Sequence, residues 1–257
     1  MKSKIKPSNV LVLPDIHFKA TKGGEDKRTL DAVLQYASDH PWSHVVLLGD
    51  VMDHNSISSH NKGNLKNVEG ETLMKDYTVA NRWLDALEGA TPGAEKWVIE
   101  GNHDYRATLV AEQQPQLEGL IETQNGLRIL GRGWHWVPYW TTGEVLDLGR
   151  ASFGHGRYTN KYHAERHATR YGRNFYYGHL HDTQSYTVER DGDDLKYEAA
   201  SLGCLCSYRQ YWMKGRPSKW QQAISTFRFQ PNGNFNRYTA NIFSHKFLSP
   251  EGKLYAG

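Results

Sequence analysis

Short apolar runs alternate with helix-spaced apolar positions along the first hundred residues. Asn9 to Leu13 is a continuous apolar run, and Gly24 to Ser38 follows with Leu30, Val33, Leu34 and Ala37 at the spacing of one helix face. His44 to Leu48 reads as a second buried strand. Glu71 to Leu87 places Leu73, Tyr77, Ala80, Leu84 and Leu87 three or four apart in a helix closed by Gly89, and Lys96 to Ile99 reads as a third strand. This β, α, β, α, β order predicts a layered α/β fold with parallel pairing in its first half.

The second half changes character. Leu127 to Leu130, Trp134 to Trp140, Val145 to Leu148 and Ala151 to Phe153 read as short strands of a second sheet, followed by a helix from Tyr162 to Tyr171 and a strand from Asn174 to Tyr177. Two hairpins close the chain: Thr183 to Ala200 turns at Asp191-Gly192-Asp193, and Ala223 to Ile242 turns at Pro231-Asn232-Gly233. Without a linker or an internal repeat, residues 1–257 read as a single domain, with 204–257 a basic, aromatic-rich C-terminal part.

Composition narrows this picture. With 38% hydrophobic and 23% charged residues in 257 positions, the chain is globular and neither disordered nor collagen-like. Apolar runs such as Val10 to Leu13 and Val45 to Leu48 fall far short of the ~18 residues of a membrane span. Pro14 and Asp15 interrupt the apolar stretch behind the basic N-terminus, so a cytoplasmic location is expected. Cys204 and Cys206 stand too close to bridge each other without distortion and read as small buried residues.

From Ala199 to Pro250 there is no acidic residue, while Arg209, Lys214, Arg216, Lys219, Arg228, Arg237 and Lys246 are all basic. Tyr208, Tyr211, Trp212, Trp220 and several Phe are interleaved with them, which suits a polyanion with stackable bases. A β-hairpin with aromatic core positions and solvated arginines fits the same pattern.

The chemistry lies in five short motifs, each just past an apolar run: Asp15-Ile16-His17, Gly49-Asp50-Val51-Met52-Asp53, Gly101-Asn102-His103-Asp104, Gly154-His155 and Gly178-His179-Leu180-His181. Loops past strand ends in an α/β sheet share the edge where ligands bind, so these five can converge. Their Asp, His and Asn side chains offer oxygen and imidazole donors suited to Mn²⁺, Zn²⁺ or Fe. Asp15 with His17, and His179 with His181, sit at i and i+2, so each pair can face one site. Seven candidate ligands exceed the needs of one tetrahedral ion and suit two ions, with Asp50 the natural bridge.

In this order the motifs resemble those of the calcineurin-like metallophosphoesterase superfamily, D-x-H, G-D-x-x-D, G-N-H-[DE], G-H and G-H-x-H, over residues 9 to 181. The chain is also similar to phage-type stand-alone members. The resemblance implies a four-layer α/β/β/α sandwich with two central mixed sheets and a dinuclear centre at their loop edge. It implies that Asp15, His17 and His181 hold one ion, that Asn102, His155 and His179 hold the other, and that Asp50 bridges them. Mn²⁺ heads the expected metals, with Zn²⁺, Fe and Ni²⁺ as alternatives. His103 would act as general acid or transition-state stabiliser, Asp104 would orient and charge it, and Asp53 would hold a ligand histidine or water. Where phosphoprotein phosphatases carry a phosphate-clamping arginine after that carboxylate, this chain has His54 and Asn55, which disfavours that branch.

The expected function is therefore a metal-dependent phosphodiesterase or nuclease on nucleic acid, DNA or RNA, or on a nucleotide. A phosphomonoesterase is the alternative and a non-catalytic interaction scaffold the remote one. Arg157, after Gly154-His155-Gly156, and His54 are candidate substrate contacts. His163 and His167 are read as part of a solvated basic helix, and Trp134, Trp136 and Trp140 as core or rim. No membrane partner is expected, and a homodimer is left open.

Overall fold

Both faces of a parallel sheet are covered, so its strands are apolar throughout, and odd and even positions choose opposite layers. The computed structural model describes residues 1, 3, 6–21, 24–63, 65–189, 196–208 and 213–257. Its first sheet contains β1 (Asn9–Leu13), β2 (His44–Leu47), β3 (Glu95–Ile99) and β4 (His135–Val137), paired in parallel with Val10 opposite His44 and Leu47 opposite Val98. Leu11, Leu13, Val45 and Leu47 pack under α1 (Lys27–Asp39) and α2 (Leu73–Ala90), while Val10, Val12, Val46 and Leu48 face the other way.

That other face meets a second sheet. After α3 (Tyr105–Gln113) and the short helices α4 (Thr123–Gly126) and α5 (Tyr139–Thr142) come β5 (Leu146–Leu148) and β6 (Ala151–Phe153), then α6 (His163–Tyr171), β7 (Phe175–Tyr177), β8 (Ser185–Glu189) and β9 (Lys196–Ser201). The sheet order is β5-β6-β7-β9-β8, with β6, β7 and β9 parallel and the two edge strands antiparallel. Phe153 and Tyr176 pack toward the first sheet against Phe227, whereas Phe175 and Tyr177 stack on His167 of α6. The layers are thus α1 with α2, two mixed sheets, and α6, the α/β/β/α arrangement expected.

The C-terminal hairpin belongs to this core. β10 (Ala223–Phe229) lies antiparallel to β1, and β11 (Phe235–Asn241) completes the six-stranded order β11-β10-β1-β2-β3-β4. β12 (Lys246–Leu248) and β13 (Leu254–Ala256) form a ribbon over α1. The turn falls at Pro231-Asn232-Gly233, closed by Gly233 N–H on the Gln230 carbonyl at 2.9 Å. Phe227 and Phe247 are buried and Phe229 and Phe235 pack beside Phe227, so these aromatics are core positions. Three of the basic residues are neutralised by acids from elsewhere: Lys219 by Asp182, Arg228 by Glu251 and Arg237 by Glu198. Lys214, Arg216 and Lys246 are exposed, while Arg209, Tyr211, Trp212 and the Asp191-Gly192-Asp193 turn lie outside the described residues.

Several expectations are corrected. Helix α1 starts later than Gly24, at Lys27, because the Asp26 carboxylate accepts the Thr29 N–H at 3.2 Å and caps it. Helix α2 runs through Gly89 and stops at Thr91, whose N–H and hydroxyl both donate to the Leu87 carbonyl. Leu127 to Leu130 is a turn, not a strand. Leu127 and Ile129 are buried two residues apart, which mimics strand alternation. His163 and His167 are fully buried, because α6 turns His163, Ala164, His167 and Ala168 inward and Arg166 and Arg170 outward. Among the described residues no helix is long and apolar enough to cross a membrane.

Candidate metal centre

The five motifs leave five strands at one edge of the two sheets: Asp15 and His17 after β1, Asp50 after β2, Asn102 and His103 after β3, His155 after β6, and His179 and His181 after β7. Asp15, His17, Asp50, His179 and His181 all have positive φ, between 46° and 70°. Such left-handed residues cost about 1 to 3 kcal/mol each and persist where surrounding contacts impose them. The motif glycines are required by close approach. A Cβ on Gly101 would collide with the backbone nitrogen and carboxylate of Asp50, and one on Gly178 with the carboxylate of Asp15.

Hydrogen bonds lock the loops together. Asp15 accepts the His179 N–H on both carboxylate oxygens at 3.0 Å, and Asp50 Oδ1 accepts the His103 N–H at 2.8 Å. Three imidazoles are tied outward through Nδ1: His155 to the Leu48 carbonyl at 2.9 Å, His17 to Asp53 Oδ1 at 3.4 Å, and His181 to Cys206 Sγ at 3.6 Å. Their Nε2 atoms point inward. His181 Nε2 lies 3.2 Å from Asp15 Oδ1 and from His17 Nε2, and His155 Nε2 lies 3.2 Å from Asp50 Oδ2 and from Asn102 Oδ1. Asp50 Oδ2 also lies 3.6 Å from His17 Nε2, so one carboxylate oxygen stands between the two groups. Ligand atoms of Asp50, His155 and His179 lie within 4.8 Å of one another, as do those of His17, Asp50 and His103 and those of His17, His181 and Cys206.

The electrostatics ask for cations. Burial alone would raise Asp50, but the surrounding His155, His103 and His17 rings hold it well below the ordinary carboxylate range. Burial opposes charge on His155 and His181 as well. Even so, Asp50 with Asp15 raises His155 to about 10, and Cys206 with Asp15 raises His181 to about 10. Burial, together with the neighbouring His155, lowers His179 to about 4. Buried carboxylates drawing protons onto imidazoles whose free nitrogens converge are the arrangement that divalent ions satisfy in place of protons. Oxygen and imidazole donors in two groups sharing a carboxylate fit a pair of such ions.

No protein-family model matches the chain, and no curated protein matches it. Among solved structures it is similar to Vps29 from Chaetomium thermophilum, at 9% identity over 98% of this chain and 95% of that one, with TM-score 0.48. A metallophosphoesterase from Sphaerobacter thermophilus is 14% identical over 91% of this chain and 88% of that one, with TM-score 0.47. A dimetal phosphatase from Danio rerio is 13% identical over 91% and 99%, also with TM-score 0.47. The five motifs meet at one edge of two stacked sheets, the layered arrangement that the sequence resemblance implies.

Of the residues expected at the site, Asp104, His54 and Arg157 are placed differently, while Asp53 holds His17 as expected and takes a second partner. Asp104 does not face the His103 ring. It is buried, accepts N–H groups from Met52, Gly101 and Val51, and so joins two motif loops; burial and Asp50 push it up to about 7. Asp53 takes the orienting role instead, with Oδ1 3.2 Å and its carbonyl 2.9 Å from His103 Nδ1. Burial alone would raise Asp53, but bonds from His103 and His17 hold it far below the usual range. His54 is fully buried with Nδ1 on the His103 carbonyl, and burial lowers it to about 3, so it supports the loop and does not face the cleft. Arg157 spends its guanidinium on the carbonyls of Tyr139 and Trp140 and lies over both their rings.

Three residues that the sequence does not assign to the centre border it. Cys206 and Trp220 line its pocket of about 170 Å³, with Trp220 edge-on to His181 at 4.1 Å between ring centroids. Arg106 bonds to His103. The i, i+2 relation of Cys206 to Cys204 carries no sign of this, since buried cysteines share it. Arg106 sits on α3, whose only buried positions are Ala107 and Ala111, so no apolar stripe announces the helix.

Proposed function

We propose that the protein is a dinuclear-metal phosphoesterase that hydrolyses phosphodiesters of nucleic acid or nucleotides. The observation that carries this reading is the meeting of the five motif loops, with carboxylates from the first sheet and imidazoles from both sheets turned to one point. Divalent ions held there, Mn²⁺ first among Zn²⁺, Fe and Ni²⁺, would lower the pKa of water toward neutrality and neutralise phosphoryl oxygens. Asp15, His17 and His181 would hold one ion, Asn102, His155 and His179 the other, and Asp50 both. Asp53 fixes the rings of His17 and His103 through Oδ1. His103 keeps its ring at the pocket wall, where a departing ester oxygen would meet it.

Trp220, from the acid-free basic segment, lines the same pocket, which supports a substrate with a stackable base. A phosphomonoesterase is the competing reading, favoured by a pocket whose 170 Å³ takes a single phosphate group comfortably. The test is metal analysis followed by parallel turnover of a bis-aryl and a mono-aryl phosphate with added Mn²⁺. Two ions per chain with diester turnover is the expected outcome. Brisk monoester turnover without diester turnover selects the competing reading, and a chain that binds no metal removes both.

A further inference from the structure

Asp53 is followed in sequence by His54, and an arginine from elsewhere in the chain reaches the Asp53 carbonyl. Arg106, in the first turn of α3, donates from Nη1 to the Asp53 carbonyl at 2.9 Å and from Nη2 to His103 Nε2 at 3.1 Å. Its guanidinium therefore sits against the same two residues that frame the metal pocket. Arginine has five N–H donors and no acceptor. Two are used here, neither on a carboxylate. Among the described residues no carboxylate is in ion-pair contact with Arg106, although Asp50, Asp53 and Asp104 attract it from farther away. A half-buried guanidinium without a counter-ion carries a desolvation cost that an anionic ligand would offset.

The hydrogen bonds also define the neighbour's state. His103 Nδ1 faces only acceptors, the Asp53 carbonyl and carboxylate, so in the neutral ring the proton sits on Nδ1 and Nε2 accepts from Arg106. On its other side Arg106 lines a groove of about 370 Å³ with Ser56, Ser58, Ser59, Asn61 and Leu109. The guanidinium thus stands between the metal pocket and an open groove, with donors to spare.

We propose that Arg106 is a substrate-binding residue that grips the ester's phosphate, turning N–H donors onto a non-bridging oxygen and releasing His103 Nε2 when the phosphate enters. This rests on the phosphoesterase reading, and the test separates the two. Inorganic phosphate is titrated calorimetrically into the full chain as wild type, Arg106→Lys and Arg106→Gln, each with and without Mn²⁺, and bound metal is counted in every sample. Equal metal content is expected throughout. Phosphate affinity should fall about tenfold or more in Arg106→Gln, as for loss of a charge-assisted hydrogen bond, and clearly less in Arg106→Lys, which keeps the charge. KM for the bis-aryl ester should rise in the same order. Wild-type affinity in Arg106→Gln overturns the proposal, as does equal impairment of both variants, which would make Arg106 a prop for the His103 loop. A wild type that takes up no metal defeats the phosphoesterase reading alone, because the metal-free titrations still rank the three proteins.

Discussion

The two ends of the same strands both gather histidines around carboxylates, with opposite results. At the N-terminal end, His44, Glu95 and His135 are the first residues of β2, β3 and β4, and Glu95 is shared between His44 at 3.2 Å and His135 at 2.9 Å. These residues keep strand geometry, so each ring meets one carboxylate oxygen and the set is closed. At the C-terminal end the chain has left the strands with positive φ at Asp15, His17, Asp50, His179 and His181. Their side chains swing off the sheet planes toward one point, and the inward nitrogens face more than one acceptor. Residue type alone does not make a metal centre. Backbone that turns several side chains to one place, with the outer ring nitrogens already occupied, builds a site that cations fit.

The largest expected effect separates these ends directly. Asp50→Asn should empty or scramble the metal centre and lower turnover about 10³-fold or more, since the shared carboxylate is lost. Glu95→Gln should leave metal content and turnover intact and cost about 1 to 2 kcal/mol in a denaturant melt. Equal metal loss in the two variants would erase the distinction. A smaller effect is expected at Asp53, which touches His17 and His103 without facing the shared acceptors. Asp53→Asn should weaken metal binding or activity about 10- to 100-fold, measurable by competitive chelator titration.

The last effect, spread over a pH range, concerns a histidine outside both ends. Burial lowers His167 from 6.5 to about 4, as its ring packs on Tyr177. Between those values the unfolded chain binds a proton that the folded chain refuses. This contribution is therefore fully present above about pH 6.5 and is lost as pH falls toward 4, by about 3 kcal/mol at most. His167→Gln keeps a donor and an acceptor but cannot titrate, so its stability should decline less over that window than wild type. An unchanged acid limb would show that His167 is not among the groups that set it.

How much was legible follows from what each signal depends on. Strands β1, β2 and β3 and helices α1 and α2 were readable because both faces of the sheet and one helix face must be apolar. Helix α3 was not, because it buries only Ala107 and Ala111. Leu127 and Ile129 were misleading because burial at alternate positions is not unique to strands. His163 and His167 looked solvated beside their arginines, since a chain of letters does not show which side of a helix meets the second sheet.

The sequence by itself determined the layer class, the strand ends at which chemistry sits and the inventory of donors, because local periodicity and motif order are properties of the chain. Tertiary structure decided which partner each donor has. It moved the orienting role from Asp104 to Asp53, brought Cys206 behind His181, and set the Arg106 guanidinium on the carbonyl of Asp53, a residue of another motif loop. The physical reason is that hydrogen bonds and charge pairs act over about 3 Å in space. At the candidate centre those few ångströms join loops 164 residues apart in the chain.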